Sequence, residues 1–271
     1  MSQLTKIQEI QLGIFKEFDS FCKENNIPYF IIGGTVIGAV RHKGFIPWDD
    51  DIDVGLLRKD YDKFVSMASQ KWTGKYRIKN YKITKDFYHS LTHAVDTTVR
   101  ILDNERINPV STNVWIDVNP LDGFPNDGIK QKIHYYRLRM IKNLIVLSNF
   151  EKLFDLNKER SKPIKVIIAI IRVINPFKIL STKKLIEKLE SVLRSHNTDD
   201  SPCIGNFVGR YGKKEIMRKK VFSEKTMLQF EDIIVPVMKD YDEYLRNLYG
   251  DYMQLPPKEK QINRHAMEII E

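Results

Sequence analysis

The chain has 271 residues, 42% of them hydrophobic, which is ample for a packed interior and excludes a disordered or low-complexity polymer. Its net charge of +9, with an isoelectric point near 9.3, favours anionic partners such as nucleotides, nucleic acid or an anionic membrane face. Two cysteines make no disulfide framework and no apolar signal segment follows "MSQLTKIQEI", so the expected compartment is the cytosol.

The first predicted element is an amphipathic helix from about Leu4 to Lys23, with Leu4, Ile7, Ile14, Phe15, Phe18 and Phe21 at helical spacing and Cys22 on the same stripe. The apolar "PYFII" then reads as a buried strand ending in Gly33 and Gly34, and Thr35 opens a short helical run to Val40. A strand-like segment follows the acidic run "DDDID". A helix near Lys59 to Ala68 precedes strand-like runs at "YRIKNYK", "TTVRILD" and "VWIDV", giving an α/β core that ends close to Phe124. From about Asn126 to His196 the pattern changes to helices rich in Lys, Arg and Ile. Within it "KPIKVIIAIIRVINPFKIL" falls short of the roughly 20 residues a membrane span needs. Lys165 and Arg172 share a face, so this helix either lies in the headgroup region of an anionic membrane or is buried in a helical subdomain. After "SPCIGNFVGRYGKKEIM", a glycine-rich connection that places Cys203 in a loop, "IIVPV" reads as a strand and "KDYDEYLRNLYG" as a helix closing at Gly250. The expected division is a core over 1–125, a basic helical insert over 126–200 and a returning segment over 201–271, with no internal repeat or Gly/Ser linker.

Chemistry concentrates in four aspartates within five positions, Asp49, Asp50, Asp51 and Asp53. In an extended segment Asp51 and Asp53 project from one face, and like charges so close oppose folding unless a hard cation such as Mg²⁺ or Mn²⁺ joins them. A strand, a glycine pair and a helix start beside them offer backbone N–H groups to a phosphate. Asp117 is a lone carboxylate in an apolar strand; paired beside the Asp51–Asp53 strand it would lie about 5 Å away, as a third metal ligand or as the base. These residues predict a metal-dependent phosphoryl-transfer site. Arg41, His42 and Lys43 return toward the aspartates through "GFIPW" and either contact phosphate oxygens or end the helix as solvated cations. Arg100 is expected to reach the pocket. Trp48 either walls it, stacking on a base or facing a trimethylammonium, or packs in the core. Asp122 reads as a turn residue before Gly123.

Three blocks, "IIGGTVIGAVRHKGFIPWDDDIDVG", "WIDVNPLDGFP" and "YDEYLRNLYGDYMQLPPKEKQINRH", together resemble the LicD family of bacterial proteins, related to the nucleotidyltransferase superfamily and the fukutin group. The resemblance implies a nucleotidyltransferase-like mixed sheet core. It also implies transfer of phosphocholine or an alditol phosphate from a CDP-linked donor to a sugar hydroxyl, with release of CMP. By the same resemblance the metal-binding acids are Asp51 and Asp53, the third acid is Asp117, and the glycine turn is Gly33 and Gly34. Asp49 and Asp50 match the same motif, and Arg264 and His265 fall in the C-terminal block, where ligand contact is expected. The expected acceptor is a precursor of lipopolysaccharide, capsule or teichoic acid, lipid-linked at the inner face of the plasma membrane. Two alternatives stay open: a nucleotidyltransferase using an NTP and releasing pyrophosphate, and a non-catalytic basic module binding RNA or membrane. Scattered Lys and Arg without an RNA-binding aromatic motif argue against nucleic acid.

Overall fold

The computed structural model describes residues 2–104, 109–126, 128–154, 161–263 and 267–270, the side chains of 162–167 excepted. Helix α1 (Gln3–Glu24) starts where the Ser2 hydroxyl accepts the Thr5 N–H, and it buries Ile7, Ile14, Phe15, Phe18, Phe21 and Cys22 along one stripe. Next come β1 (Phe30–Ile31), α2 (Gly33–Ile37), β2 (Asp53–Leu57), α3 (Arg58–Lys71), β3 (Tyr76–Lys79), β4 (Thr92–Asp103) and β5 (Val110–Phe124). The middle of the chain forms α4 (Gly128–Ser148), α5 (Phe150–Leu153), α6 (Lys162–Val173) and α7 (Thr182–Leu193). The remainder forms β6 (Cys203–Gly205), β7 (Met217–Arg218), β8 (Lys225–Phe230), β9 (Ile233–Met238), α8 (Tyr241–Tyr249) and β10 (Met267–Ile269).

The main sheet runs β1-β2-β5-β4-β10, with β3 also on β4 and β6 on β5. Strand β2 runs parallel to β5, whereas β1 on β2 and β4 on β5 are antiparallel, so the sheet is mixed. Side chains alternate across it. Val54, Leu56, Ala94, Val114, Ile116 and Val118 are buried in the core shared with Phe15, Phe18 and Phe64, whereas Asp53, His93, Trp115 and Asp117 line a cavity. A second apolar cluster joins Leu138, Ile141 and Ile145 of α4 to Ile186, Leu189 and Leu193 of α7, around Phe124 and Cys203. The α/β reading with a mixed sheet therefore holds.

Several boundaries differ from expectation. Helix α2 begins at Gly33, two residues before Thr35, and continues as a π-helical turn over Gly38–His42. Strand β4 begins at Thr92, five residues before the predicted run. Asp122, expected in a turn, sits near the end of β5, where Arg58 donates to both its carboxylate oxygens at 2.6 Å. Helix α6 ends at Val173, and a 3-10 turn (Pro176–Ile179) follows. Cys203, expected in a loop, is the first residue of β6.

Candidate active site

A cavity of about 660 Å³ opens on the face of the sheet opposite α1 and α3. Its floor is a row of side chains crossing four strands in register. Asp53 of β2 stands opposite Asp117 of β5, Asp117 opposite His93 of β4, and His93 opposite Lys79 of β3. All four line the cavity, so two carboxylates, an imidazole and an ammonium are laid out at successive strand spacings of about 4.8 Å.

Each member is held by named neighbours. The Asp53 N–H donates to Thr35 Oγ1 at 2.8 Å, and Asn119 Nδ2 donates to Asp53 Oδ1 at 3.1 Å. Asn119 in turn accepts from Asn206 Nδ2, which ties the aspartate to the loop after β6. His93 lies under Trp115, the rings stacked at 4.9 Å with 7° between planes, and its Nε2 is 3.3 Å from Asp117 Oδ1. Lys79 Nζ donates to Asn113 Oδ1 at 2.9 Å and to Thr112 Oγ1 at 3.3 Å. Burial and the charge of Arg100 hold this ammonium below its ordinary range.

The glycine pair forms the wall beside the acids. Gly33 has φ +59°, a conformation costly for other residues, and a Cβ there would stand 3.2 Å from Asp53 Oδ2. A Cβ on Gly34 would stand 3.3 Å from Asp49 Oδ2. The absent side chains thus leave space next to two carboxylates. The Gly33 N–H itself is engaged, donating to the Tyr244 hydroxyl at 3.0 Å.

The loop after β6 closes the opposite side. Lys142 Nζ donates to the carbonyls of Phe207, Val208 and Gly209, and burial pushes its ammonium down to about 8. Glu215, buried and lining the cavity, has its carboxyl pushed up to about 8, first by burial and then by the charge of Asp53.

The residues singled out from sequence divide in two. Gly33, Gly34, Asp49, Asp51, Asp53 and Asp117 line the cavity, and Thr35 supports Asp53 from beneath. Asp50, Arg41, Lys43, Trp48 and Arg100 do not line it. Asp50 is buried and accepts from Asn263 Nδ2. Arg41 donates to the Tyr252 carbonyl and to His42, which directs it away from the aspartates. Lys43 holds a left-handed turn at φ 61° while its carbonyl accepts the Glu231 N–H. Trp48 packs against the main core with its ring edge toward His42. Arg100 Nη2 reaches Ser111. Arg264 and His265 lie outside the described residues.

Sequence reasoning missed His93, Lys79, Asn119, Asn206 and Glu215. Alternation gave a partial signal, since Leu91, His93 and Val95 fall on one face of their segment and Arg77 and Lys79 on one face of theirs. Which strand lies beside which, and in what register, is set by tertiary pairing.

Asp49, Asp51, Asp53 and Asp117 offer hard oxygen ligands of the kind Mg²⁺ and Mn²⁺ prefer, and the glycine pair leaves room beside two of them. Among the described residues no three or more His, Cys, Asp or Glu side chains converge closely enough to hold a metal ion by themselves. A cation bound here would complete its shell from substrate and water.

Residues 26–138 match the family described as LicD/FKTN/FKRP, nucleotidyltransferase domain, which spans the glycine pair, every cavity aspartate and β5. Over 270 residues, 98% of this chain and 97% of the relative, the sequence is 32% identical to the lipopolysaccharide cholinephosphotransferase LicD of Haemophilus influenzae. A stretch of 34 residues, 12% of this chain and 7% of the relative, is 44% identical to the human ribitol 5-phosphate transferase FKRP. An uncharacterized Rickettsia typhi protein, RT0683, is 43% identical over 70 residues, 26% of this chain and 23% of its own length. With full-length similarity to one phosphate-group transferase and the family's domain lying over the acid and glycine cluster, the chain belongs to the LicD family and is a phosphotransferase.

Proposed function

We propose that the chain transfers phosphocholine, or a related alditol phosphate, from a CDP-activated donor to a sugar hydroxyl of a cell-surface glycan precursor, releasing CMP. The observation that carries this reading is the in-register pair of Asp53 and Asp117 in one cavity with the glycine pair. The full-length similarity to a lipopolysaccharide cholinephosphotransferase supports the cargo.

Asp51 and Asp53, with Asp49 beside Gly34, are the residues that would hold Mg²⁺ or Mn²⁺. When bound, such a cation neutralises the donor diphosphate and polarises the attacked phosphorus. Asn119 and Thr35 fix Asp53 so that its carboxylate stays at the glycine wall. Asp117, with one oxygen at His93, takes the proton of the acceptor hydroxyl on its other oxygen. The acceptor oxygen then bonds to the donor phosphorus, the bond to the bridging oxygen breaks, and CMP departs with the electron pair.

A lipid-linked acceptor is supported by the helical insert. Ile170, Val173, Ile174 and Ile179 are 57, 83, 70 and 89% exposed. No Asp or Glu occurs from 162 to 186, while Arg172, Lys183 and Lys184 are exposed on the same stretch. An apolar surface with exposed cations beside it suits an anionic lipid face, although Lys178 on the same stretch is paired with Glu151 at 2.8 Å. Among the described residues no helix is long and apolar enough to cross a membrane, so contact there would be peripheral.

Phosphorus NMR tests the reaction, using the protein with Mg²⁺ or Mn²⁺, CDP-choline, CDP-ribitol, CDP-glycerol, CTP and a glycan-precursor extract, and Asp51→Ala as control. CMP from one CDP donor is the expected result and identifies the cargo. Pyrophosphate from CTP would instead mark a nucleotidyltransferase, and no product specific to the wild type would leave a binding protein.

A further inference from the structure

Lys79 ends the row of side chains on the cavity floor, two strand spacings or about 10 Å from Asp117. It is half-buried, and its hydrogen-bond partners, Asn113 and Thr112, are neutral. Among the described residues no carboxylate forms an ion pair with it. Arg100 adds like charge nearby, and burial together with that charge holds the ammonium below its ordinary range. A desolvated cation in this position costs stability unless an anion joins it, and the cavity is where an anion can enter. At the other end of the same row the carboxylates Asp53 and Asp117 repel anions. The cavity floor is thus polarised, with acid on β2 and β5 and cation on β3.

We propose that Lys79 is a phosphate-binding residue of this cavity, accepting a phosphate oxyanion carried either by the donor nucleotide or by the glycan acceptor. The assignment rests on the transferase reading above and adds to it a substrate contact outside the acid cluster. Lys85, Lys152 and Arg210 also line the cavity, and Lys79 is the cation that stands in register with Asp117 and Asp53 on its floor. An ammonium on a four-carbon stem makes a compact point charge suited to a phosphate oxygen, and Asn113 and Thr112 aim it by accepting two of its three protons.

The test compares Lys79→Met, which keeps the stem and removes the charge, with Lys79→Arg. CMP binding is measured by calorimetry without substrate turnover, and KM is measured separately for a CDP donor and for intact and phosphatase-treated acceptor. If the donor supplies the phosphate, Lys79→Met weakens CMP binding or raises donor KM by roughly tenfold or more. If the acceptor supplies it, only the KM for intact acceptor rises, and phosphatase treatment of the acceptor removes the difference. In either case Lys79→Arg recovers most of the loss, and the thermal midpoint of Lys79→Met stays at or above that of the wild type. A lowered midpoint with CMP affinity and both KM values unchanged would assign Lys79 to the fold alone and overturn the proposal. A wild type that binds CMP but turns over no CDP donor would defeat the transferase reading while leaving Lys79 testable by CMP binding.

Discussion

His93 Nε2 lies 3.3 Å from Asp117 Oδ1 across a register pair of antiparallel strands, while Asp53 occupies the position opposite Asp117 on the parallel side. Asp117 is therefore flanked by a carboxylate that disfavours its charge and an imidazole that can share a proton with it. The imidazole cannot swing away easily, because Trp115 covers one face and Phe87 meets it edge-on at 4.9 Å. This fixes the orientation of the carboxylate before substrate arrives.

Replacing Asp117 by Asn keeps shape and removes the proton acceptor. Turnover should fall by roughly 10²–10⁴-fold, the range of general-base catalysis, with donor KM changed little. His93→Gln keeps a donor near Asp117 and should lose less than His93→Ala. Initial rates of CMP release under saturating donor and acceptor check both. Equal losses in the two His93 variants would show that the donor to Asp117 is immaterial.

The acid cluster was legible because local chemistry writes it: four carboxylates in five positions beside two glycines need a reason that an ordinary surface turn does not supply. Asp117 was legible for the same reason, as a lone charge among Trp115, Ile116 and Val118. What sequence could not give was direction. Arg41 follows a helix that was expected to return its cations to the site, yet the π-helical turn after Ile37 rotates Arg41 toward the Tyr252 carbonyl. His93 and Lys79 entered the site only through the register of β4 on β5 and of β3 on β4, which is decided by packing across the whole sheet. Asp122 shows the converse. The dipeptide Asp-Gly signals a turn, and a buried arginine overrode it.

That arginine makes a second prediction. Arg58 joins Asp122 at 2.6 Å and Glu190 at 3.0 Å, with all three side chains 10% exposed or less, and so links the end of the sheet to α7. The paired acids hold its guanidinium above its ordinary range against the effect of burial. Arg58→Met leaves Asp122 buried without its cation and Glu190 with Arg194 alone, whose Nε lies 3.2 Å from Glu190 Oε2, and should cost about 3–5 kcal/mol by urea denaturation. Arg58→Met combined with Asp122→Asn and Glu190→Gln should recover part of the loss. If the triple variant is no more stable than the single one, the cost lies in lost packing of the arginine stem.

The exposed face of the insert makes a third. Val173→Gln, Ile174→Gln and Ile179→Gln together remove apolar surface without adding charge. Co-sedimentation with vesicles containing anionic phospholipid should drop by roughly tenfold or more, and added salt should weaken wild-type binding further. Turnover on a water-soluble acceptor should be unchanged, since these residues do not line the cavity. Equal sedimentation of wild type and variant would remove the lipid-facing role of this helix.

Glu215 carries the last prediction. Its carboxyl titrates at the ordinary 4.5 in the unfolded chain and is pushed up to about 8 in the folded protein, by burial first and by the Asp53 charge second. The folded state therefore holds this proton more tightly. The stability it contributes is complete below about 4.5 and is lost as pH rises toward 8. Lys142 acts in a different window: its folded value, pushed down to about 8 from 10.5, makes the unfolded chain the tighter proton binder, so its penalty fades as pH rises above 8. Glu215→Gln imitates the protonated carboxyl at every pH and leaves Lys142 in place. Urea midpoints for the two proteins should agree most closely near pH 4.5 and separate progressively toward pH 8, the variant becoming the more stable. A constant difference across that range would show that Glu215 ionises freely in the folded protein.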